Sequence, residues 1–363
     1  MRMGARGKHL ARFLATTQTA TAAAMVGTQT VTGSSSVVGV PFFYNDVYNV
    51  IMPSRSSFPM EKYRYVREAL QRELESSGKA SFHKSPIAAI EDLTTVHTED
   101  YVQRYLTNGL TREENRRIGF EWSEAHRDRA LSSVGGTVAA THAVLRPGSR
   151  VRYSGHIAGG THHAFADRGE GYCVFNDIAV AAAVALRDYP DVVRRVLLID
   201  LDVHQGNGSA KIFEADSRVQ TYSQHCEGNL FSAREVSDLD VDVPVGCSDD
   251  EYLALLSAHL PAFFERAKPD LVFFQAGVDP HEADRIGKLE LTTRGLKKRN
   301  AFVFELAAAH ETRMVLTLGG GYPKDLTPAS QPFHQVVQAH LDVYRQCASA
   351  HAKVATRLPI PTL

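Results

Sequence analysis

Residues 195–208 read RVLLIDLDVHQGNG, and this stretch decides the fold class. The apolar run Val196-Leu197-Leu198-Ile199 reads as a strand buried on both faces, because it is short, branched and followed by polar residues and glycine. Asp200, Asp202 and His204 then occupy alternate positions, so in an extended chain they point to one side. Two carboxylates and an imidazole converging at a strand end are costly to bury unpaired. A bound metal ion resolves that cost, which makes Asp202 and His204 candidate ligands and Asp200 an orienting neighbour.

Working outward, the same order of strand, polar loop and helix repeats. Strands are expected at 152–154, 219–223, 271–275 and 314–318, and a loop over 224–238. Helices are expected over 176–189, 249–267, 292–310 and 331–347. Upstream, helical spacing runs over 60–74 and 123–145, and Thr98 precedes a further helix as an N-cap. Strands alternating with helices predict one α/β domain whose mainly parallel central sheet is covered by helices on both faces.

The whole chain sets bounds on that domain. Its 363 residues are 44% hydrophobic, ample for a large core, and its formal net charge is −1. A near-neutral balance argues against direct nucleic-acid binding. The four cysteines form no C-x-x-C pair, against a disulfide framework or a structural zinc ribbon. No apolar run approaches the roughly 20 residues of a membrane span. Residues 1–40 differ: no Asp or Glu precedes Asp46, while Arg2, Arg6, Lys8 and Arg12 are basic and Ser, Thr and Ala dominate. That composition suits either an unstructured tail or a mitochondrial or plastid transit segment. The expected divisions are 1–40, a catalytic domain over 41–350 and a tail over 351–363.

Ligands of open parallel sheets bind outside the carboxyl ends of the strands, and each unusual motif here follows an expected strand. Asp279, in QAGVDPHEADRIG, supplies a third ligand beside Asp202 and His204. Two carboxylates and one imidazole leave a position open for water, as catalytic zinc sites do; the oxygen-rich set also suits Fe(II) or Mn(II). His162 and His163 read as a general base and a general acid beside it, with Asp200 and Asn207 accepting from their far ring nitrogens. The histidine facing Asp200 should be the more basic. Tyr322, after Gly319-Gly320-Gly321, can aim a hydroxyl at a developing oxyanion. Gly171, Tyr172 and Phe231 are candidate channel walls. Taken singly, each has a plain structural reading as a helix cap, a core histidine or a packed aromatic. Four complementary motifs at four strand ends argue for one site.

These motifs resemble the zinc-dependent histone deacetylases of the arginase/deacetylase fold. The matching pieces are GGTHHAF (159–165), GYCVFND (171–177), LIDLDVHQGNG (198–208), QAGVDPHEADRIG (275–287) and LGGGY (318–322). The stretches at 41–63, 118–123 and 237–244 look most like the class IV branch and its bacterial relatives. The resemblance implies zinc on Asp202, His204 and Asp279, and His162 and His163 as the tandem general-base and electrostatic pair. It implies Tyr322 as the residue that polarises the carbonyl, and Asp200 as the partner of the first histidine. Asp200 with Ser223 would edge a structural potassium site, and Gly171, Tyr172 and, more loosely, Phe231 would line the acyl-lysine channel. It also implies chromatin regulation through histones or other acyl-lysine proteins, and by analogy a nuclear or cytosolic location. The sequence departs at Asn207, where class I enzymes carry Asp, and it offers only Glu121 near the place of their rim aspartate. The expected reaction is hydrolysis of the acetyl-lysine amide. Rival readings are a deacylase for acetylpolyamines or long-chain acyl-lysine, an arginase-like two-metal hydrolase, and an inactive acyl-lysine reader.

Overall fold

The computed structural model describes residues 38–48, 50, 52, 56–229 and 231–356. The expected N-terminal segment therefore lies almost wholly outside the described residues. Among the described residues, eight strands form one sheet: β1 (Val40–Tyr44), β2 (Ala80–Lys84), β3 (Tyr153–His156), β4 (Val196–Asp200), β5 (Val219–Cys226), β6 (Leu239–Val243), β7 (Leu271–Gln275) and β8 (Arg313–Thr317). Their spatial order is β2-β1-β3-β8-β7-β4-β5-β6, and every pairing is parallel.

Parallel neighbours need helical crossovers. These are α1 (Glu61–Leu70), α2 (Ile90–Leu93), α3 (Glu99–Leu106), α4 (Arg112–Ile118), α5 (Glu124–Leu145), α6 (Asp177–Asp188), α7 (Asn207–Phe213), α8 (Asp249–Ala267), α9 (Thr293–Ala309) and α10 (Gln331–Ala355). Side chains alternate across the sheet. Leu197, Ile199, Val272 and Phe274 pack with α1, α8, α9 and α10, while Val196, Leu198, Leu271 and Phe273 pack with α5 and α6. Both faces are thus dry, which is why β4 is a continuous apolar run rather than an alternating one. Among the described residues, no helix is long and apolar enough to cross a membrane.

The register decides where the site lies. Asp200 aligns with Gln275 on one side and Ser223 on the other, Gln275 aligns with Thr317, and Thr317 with His156. The last residues of these central strands therefore form one level row, and the loops that follow open from the same edge.

Three differences from the sequence reading concern the margins. β5 continues to Cys226, beyond Ser223, because Gln224, His225 and Cys226 pair with Val241, Asp242 and Val243 of β6. The expected loop 224–238 is shorter by that much. β1 and the two edge strands, β2 and β6, lie outside the strands expected from the pattern. α10 runs on past Cys347 to Ala355, because His351 bonds the carbonyl of Val38 and the amide of Tyr153.

Candidate active site

β4 stops at Asp200, and the chain then bends. Asp202 and His204 converge through two successive turns rather than by strand alternation. Asp200 Oδ1 accepts the amide of Asp202 at 3.1 Å, and Asp202 Oδ1 accepts the amide of His204 at 3.1 Å. Each short carboxylate turns the backbone by bonding a residue two places on. After β7, Asp279 enters the same space, fixed by the Val203 amide on its Oδ1 at 2.9 Å.

Asp202, His204 and Asp279 are buried, and one potential ligand atom from each lies within 4.8 Å of the others. His204 Nδ1 sits 3.1 Å from Asp202 Oδ1 and 3.4 Å from Asp279 Oδ2. Asp202 Oδ2 is held by Gln275 Nε2 at 2.9 Å and by the Gly320 amide at 3.0 Å. Asp279 Oδ2, in contrast, is buried with no hydrogen-bond partner. Burial and the charge of Asp202 push the Asp279 carboxyl upward, while both carboxylates draw His204 up to about 10. Two buried carboxylates share one imidazole, and a divalent cation would take the place of the proton they draw onto it and satisfy the orphaned oxygen. The residues present therefore fit a metal ion.

Gly320 makes room for that cluster. A Cβ there would lie 2.0 Å from Asp279 Oδ2 and 2.7 Å from Asp202 Oδ2. Glycine is the residue that lets backbone approach so closely.

His162 and His163 lie side by side, ring centroids 3.9 Å apart, but their partners differ. His162 Nδ1 is 2.5 Å from Asp200 Oδ2, and His163 Nδ1 is 2.8 Å from Asn207 Oδ1. Burial opposes a charge on His162, yet Asp200 and Asp202 outweigh it and raise the ring to about 9. Burial lowers His163 well below the ordinary range, and the charges of His162 and His204 lower it further. Near neutrality the pair is one imidazolium and one neutral imidazole.

Phe231 stands edge-on to His163 at 4.6 Å and to His204 at 5.5 Å, half exposed at the mouth. A Cβ on Gly171 would lie 2.6 Å from Phe231 Cζ, so these two face each other. Tyr172 lies 5.9 Å from Tyr322, ring to ring, and its hydroxyl meets Ser57 Oγ at 3.2 Å. Tyr322 is anchored by its own amide, which donates to Asp284 Oδ2 at 2.6 Å. Burial and the charges of Asp202 and Asp279 push its phenol well up, so it is an un-ionised O–H donor. Ser223 sits beside Asp200 across β4 and β5, with its Oγ 3.0 Å from His225 Nδ1.

Several residues of the site were absent from the sequence reading. Lys62 is buried, and its Nζ donates to the carbonyls of Gly319 at 3.2 Å and Gly321 at 3.0 Å while lying 5.3 Å from the Tyr322 ring. Burial lowers it to about 8 against the pull of Asp279, Asp284 and Asp202. A signal existed: Lys62, Tyr63, Val66 and Leu70 share the buried stripe of α1, a place where lysine is rare. Glu170 accepts from Asn207 Nδ2 at 2.9 Å, and Asn229 Nδ2 meets His204 Nε2 at 3.1 Å.

A parallel sheet with a buried Asp–His–Asp cluster and a split histidine pair at its carboxyl edge forms a polar site that could hold a cation. Comparison with known proteins specifies the family. The histone deacetylase domain model matches residues 56–339. An uncharacterized protein of Picosynechococcus sp. PCC 7002 is 38% identical over 309 residues, covering 85% of this chain and 98% of its own. Histone deacetylase 2 of Arabidopsis thaliana is 31% identical over 64% of this chain and 61% of its own length. The acetoin utilization protein AcuC of Staphylococcus aureus COL is 30% identical over 65% of this chain and 64% of its own. The chain belongs to the histone deacetylase family and is a hydrolase of the deacetylase type.

Proposed function

We propose that the chain removes acyl groups from lysine side chains of proteins, histones among them, by hydrolysing the amide. The observation that carries this reading is the split histidine pair beside a carboxylate cluster with an orphaned oxygen. Asp202, His204 and Asp279 would hold a divalent cation, zinc first and Fe(II) second, which supplies Lewis acidity toward a water molecule and the amide carbonyl. His163, neutral, takes the proton as the water oxygen bonds to the carbonyl carbon. His162, held as imidazolium by Asp200, stabilises the negative charge that develops. The Tyr322 hydroxyl donates to the former carbonyl oxygen, now an oxyanion. The C–N bond then breaks, and His163 returns its proton to the lysine nitrogen, leaving an amine and a carboxylic acid, whose remaining proton passes to the amine to give ammonium and carboxylate. Gly171, Tyr172 and Phe231 wall the lysine stem. Asp200 and Ser223 are carried over as the candidate edge of a potassium site.

The test is turnover of purified, zinc-loaded chain on acetyl-lysine histone peptides, long-chain acyl-lysine peptides and acetylpolyamines, each with and without a hydroxamate chelator. Chelator-sensitive hydrolysis of a lysine peptide supports the reading, and turnover of the polyamine alone removes proteins from it. His163→Ala and Tyr322→Phe should each lower kcat by at least about a hundredfold with fold and metal content kept. Full activity in either variant would overturn the assigned roles.

A further inference from the structure

Arg129 is a buried cation that the chemistry above does not use. Arg129, on α5, is 7% exposed, and its guanidinium carbon lies 4.4 Å from the ring centroid of Tyr63. No carboxylate among the described residues is within salt-bridge distance of it. Asp46, whose charge it feels, is engaged instead by Arg67 Nε at 2.8 and 2.9 Å. His126 beside it offers no compensation, because burial and the charge of Arg129 lower that ring to about 4. A guanidinium buried without a counter-charge is costly, and burial pulls its own pKa down.

Arg129 lines a cavity of about 50 Å³ with Phe58, Phe120, Gly159, Tyr172 and Ser133. This cavity backs onto the active site. Phe58 and Tyr172 line the cavity, and Phe58 lies 5.0 Å from Tyr172 and 6.3 Å from Tyr322, ring to ring, so the cavity wall adjoins the Tyr322 ring. Gly159 belongs to the turn that carries His162 and His163. The walls are largely aromatic, and the lining includes the Arg129 side chain and Ser133, whose hydroxyl accepts from Asn45 Nδ2 at 2.9 Å.

We propose that this cavity is a carboxylate pocket at the acyl end of the active site. The substrates then include lysine amides of short dicarboxylic acids, succinyl or glutaryl, whose free carboxylate pairs with Arg129. This rests on the amide-hydrolase reading above. The planar guanidinium matches a carboxylate through two parallel N–H donors. A neutral acyl chain filling the same space leaves the guanidinium, which bonds Tyr63, without a counter-charge behind an apolar plug. The acyl chain enters by turning the Phe58 ring aside. The bond cleaved and the proton transfers are those given above, with a dicarboxylate as the product.

The test compares full-length, metal-loaded chain on one lysine peptide carrying acetyl, butyryl, succinyl, valeryl or glutaryl. The expected result is a kcat/KM for succinyl over butyryl, or glutaryl over valeryl, of roughly tenfold or more. In Arg129→Gln that ratio falls to about one or below. A ratio taken within one preparation is insensitive to the fraction of the variant that folds. A second measurement needs no turnover: with divalent metal chelated, glutarate should raise the melting temperature more than valerate does, and Arg129→Gln should remove the difference. Turnover of acetyl peptide with wild-type ratios at or below one overturns the pocket and leaves the hydrolase reading intact. A glutarate-specific shift with no turnover of any peptide overturns the substrate assignment and the hydrolase reading together, leaving free carboxylate as the ligand.

Discussion

Asn207 faces two ways, and that predicts what Asn207→Asp does. Its Oδ1 accepts from His163 Nδ1 at 2.8 Å, while its Nδ2 donates to Glu170 Oε1 at 2.9 Å, and all three residues are buried. The substitution replaces a donor to Glu170 with a second carboxylate oxygen at the same distance. Two unit charges that close repel by about 6 kcal/mol at an effective dielectric near 20. Taking up one proton is the cheaper response. From an ordinary glutamate value of about 4.3 it costs about 3.7 kcal/mol at pH 7 and about 1 kcal/mol at pH 5. The shared proton raises a folded-state pKa, so the variant keeps its stability at low pH and loses it as pH rises above that ordinary value. Urea unfolding at pH 5, 6, 7 and 8 should show the deficit against wild type widening upward. Glu170→Gln combined with Asn207→Asp restores a donor, and the deficit should fall below about 1 kcal/mol and flatten with pH. In that double variant an ionised carboxylate faces His163, which should raise its pKa by about 1 to 3 units. The acid limb of kcat/KM, set by a base that must be neutral, then moves up by the same amount. A deficit that ignores pH, or that Glu170→Gln fails to relieve, would refute this account.

Two further perturbations test the site and the scaffold. Gly320→Ala puts a Cβ 2.0 Å from Asp279 Oδ2, and metal–oxygen bonds of about 2.0–2.2 Å do not survive the displacement of roughly 1 Å that must follow. Zinc affinity by competition with a chelator should drop at least about a hundredfold, roughly 2.7 kcal/mol, and unchanged affinity would reject this cluster as the metal site. Three buried histidines away from the cluster are held neutral by burial: His97 and His126 at about 4, and His156 at about 3. Their folded pKa values are depressed, so the folded chain binds fewer protons than the unfolded one. Stability is complete above about pH 6.5 and falls with decreasing pH by about 1.4 kcal/mol per unit for each ring. Each unfolded ring is already half protonated at pH 6.5, so together they predict a loss of about 3 kcal/mol between pH 6.5 and 5.5, and a melting temperature flat across that interval would sink it.

Much of this arrangement was legible because the central strands are dry on both faces. β4, β7 and β8 are short branched runs ending in polar loops, and their carboxyl ends carry Asp202, His204, Asp279 and Tyr322. The edges were not legible. β6 reads LDVDV, and its Asp240 and Asp242 give it the look of a loop, yet charge on an edge strand is how a sheet avoids further pairing. β2, ASFHK, is polar at the other edge for the same reason. The convergence of Asp202 and His204 was anticipated from strand alternation, whereas turns bonded by carboxylates produce it. Partners brought from far along the chain had no local signal. Glu170 meets Asn207 across 37 residues, and Arg129 meets a Tyr63 ring likewise remote in sequence. Lys62 was the exception, since a lysine on a buried helical stripe is visible in the pattern alone.

The same geometry bears on how many divalent ions the site holds. A two-metal hydrolase needs carboxylates with oxygens to spare, able to bridge or to serve a second ion. Asp200 is the acid placed to do so, but both its oxygens are engaged. Oδ2 lies 2.5 Å from His162 Nδ1, and Oδ1 accepts the Asp202 amide at 3.1 Å. Asp202 is committed in the same way through Gln275 and Gly320. A second ion would have to displace the imidazolium of His162 and lie against its charge. Among the described residues, Asp202, His204 and Asp279 form the group of three or more side chains able to hold a metal. The expected stoichiometry is one divalent ion per chain, read by elemental analysis after dialysis against micromolar metal. Two tightly held ions, both lost in Asp200→Asn, would overturn the division of labour argued here between Asp200 and the ligand cluster.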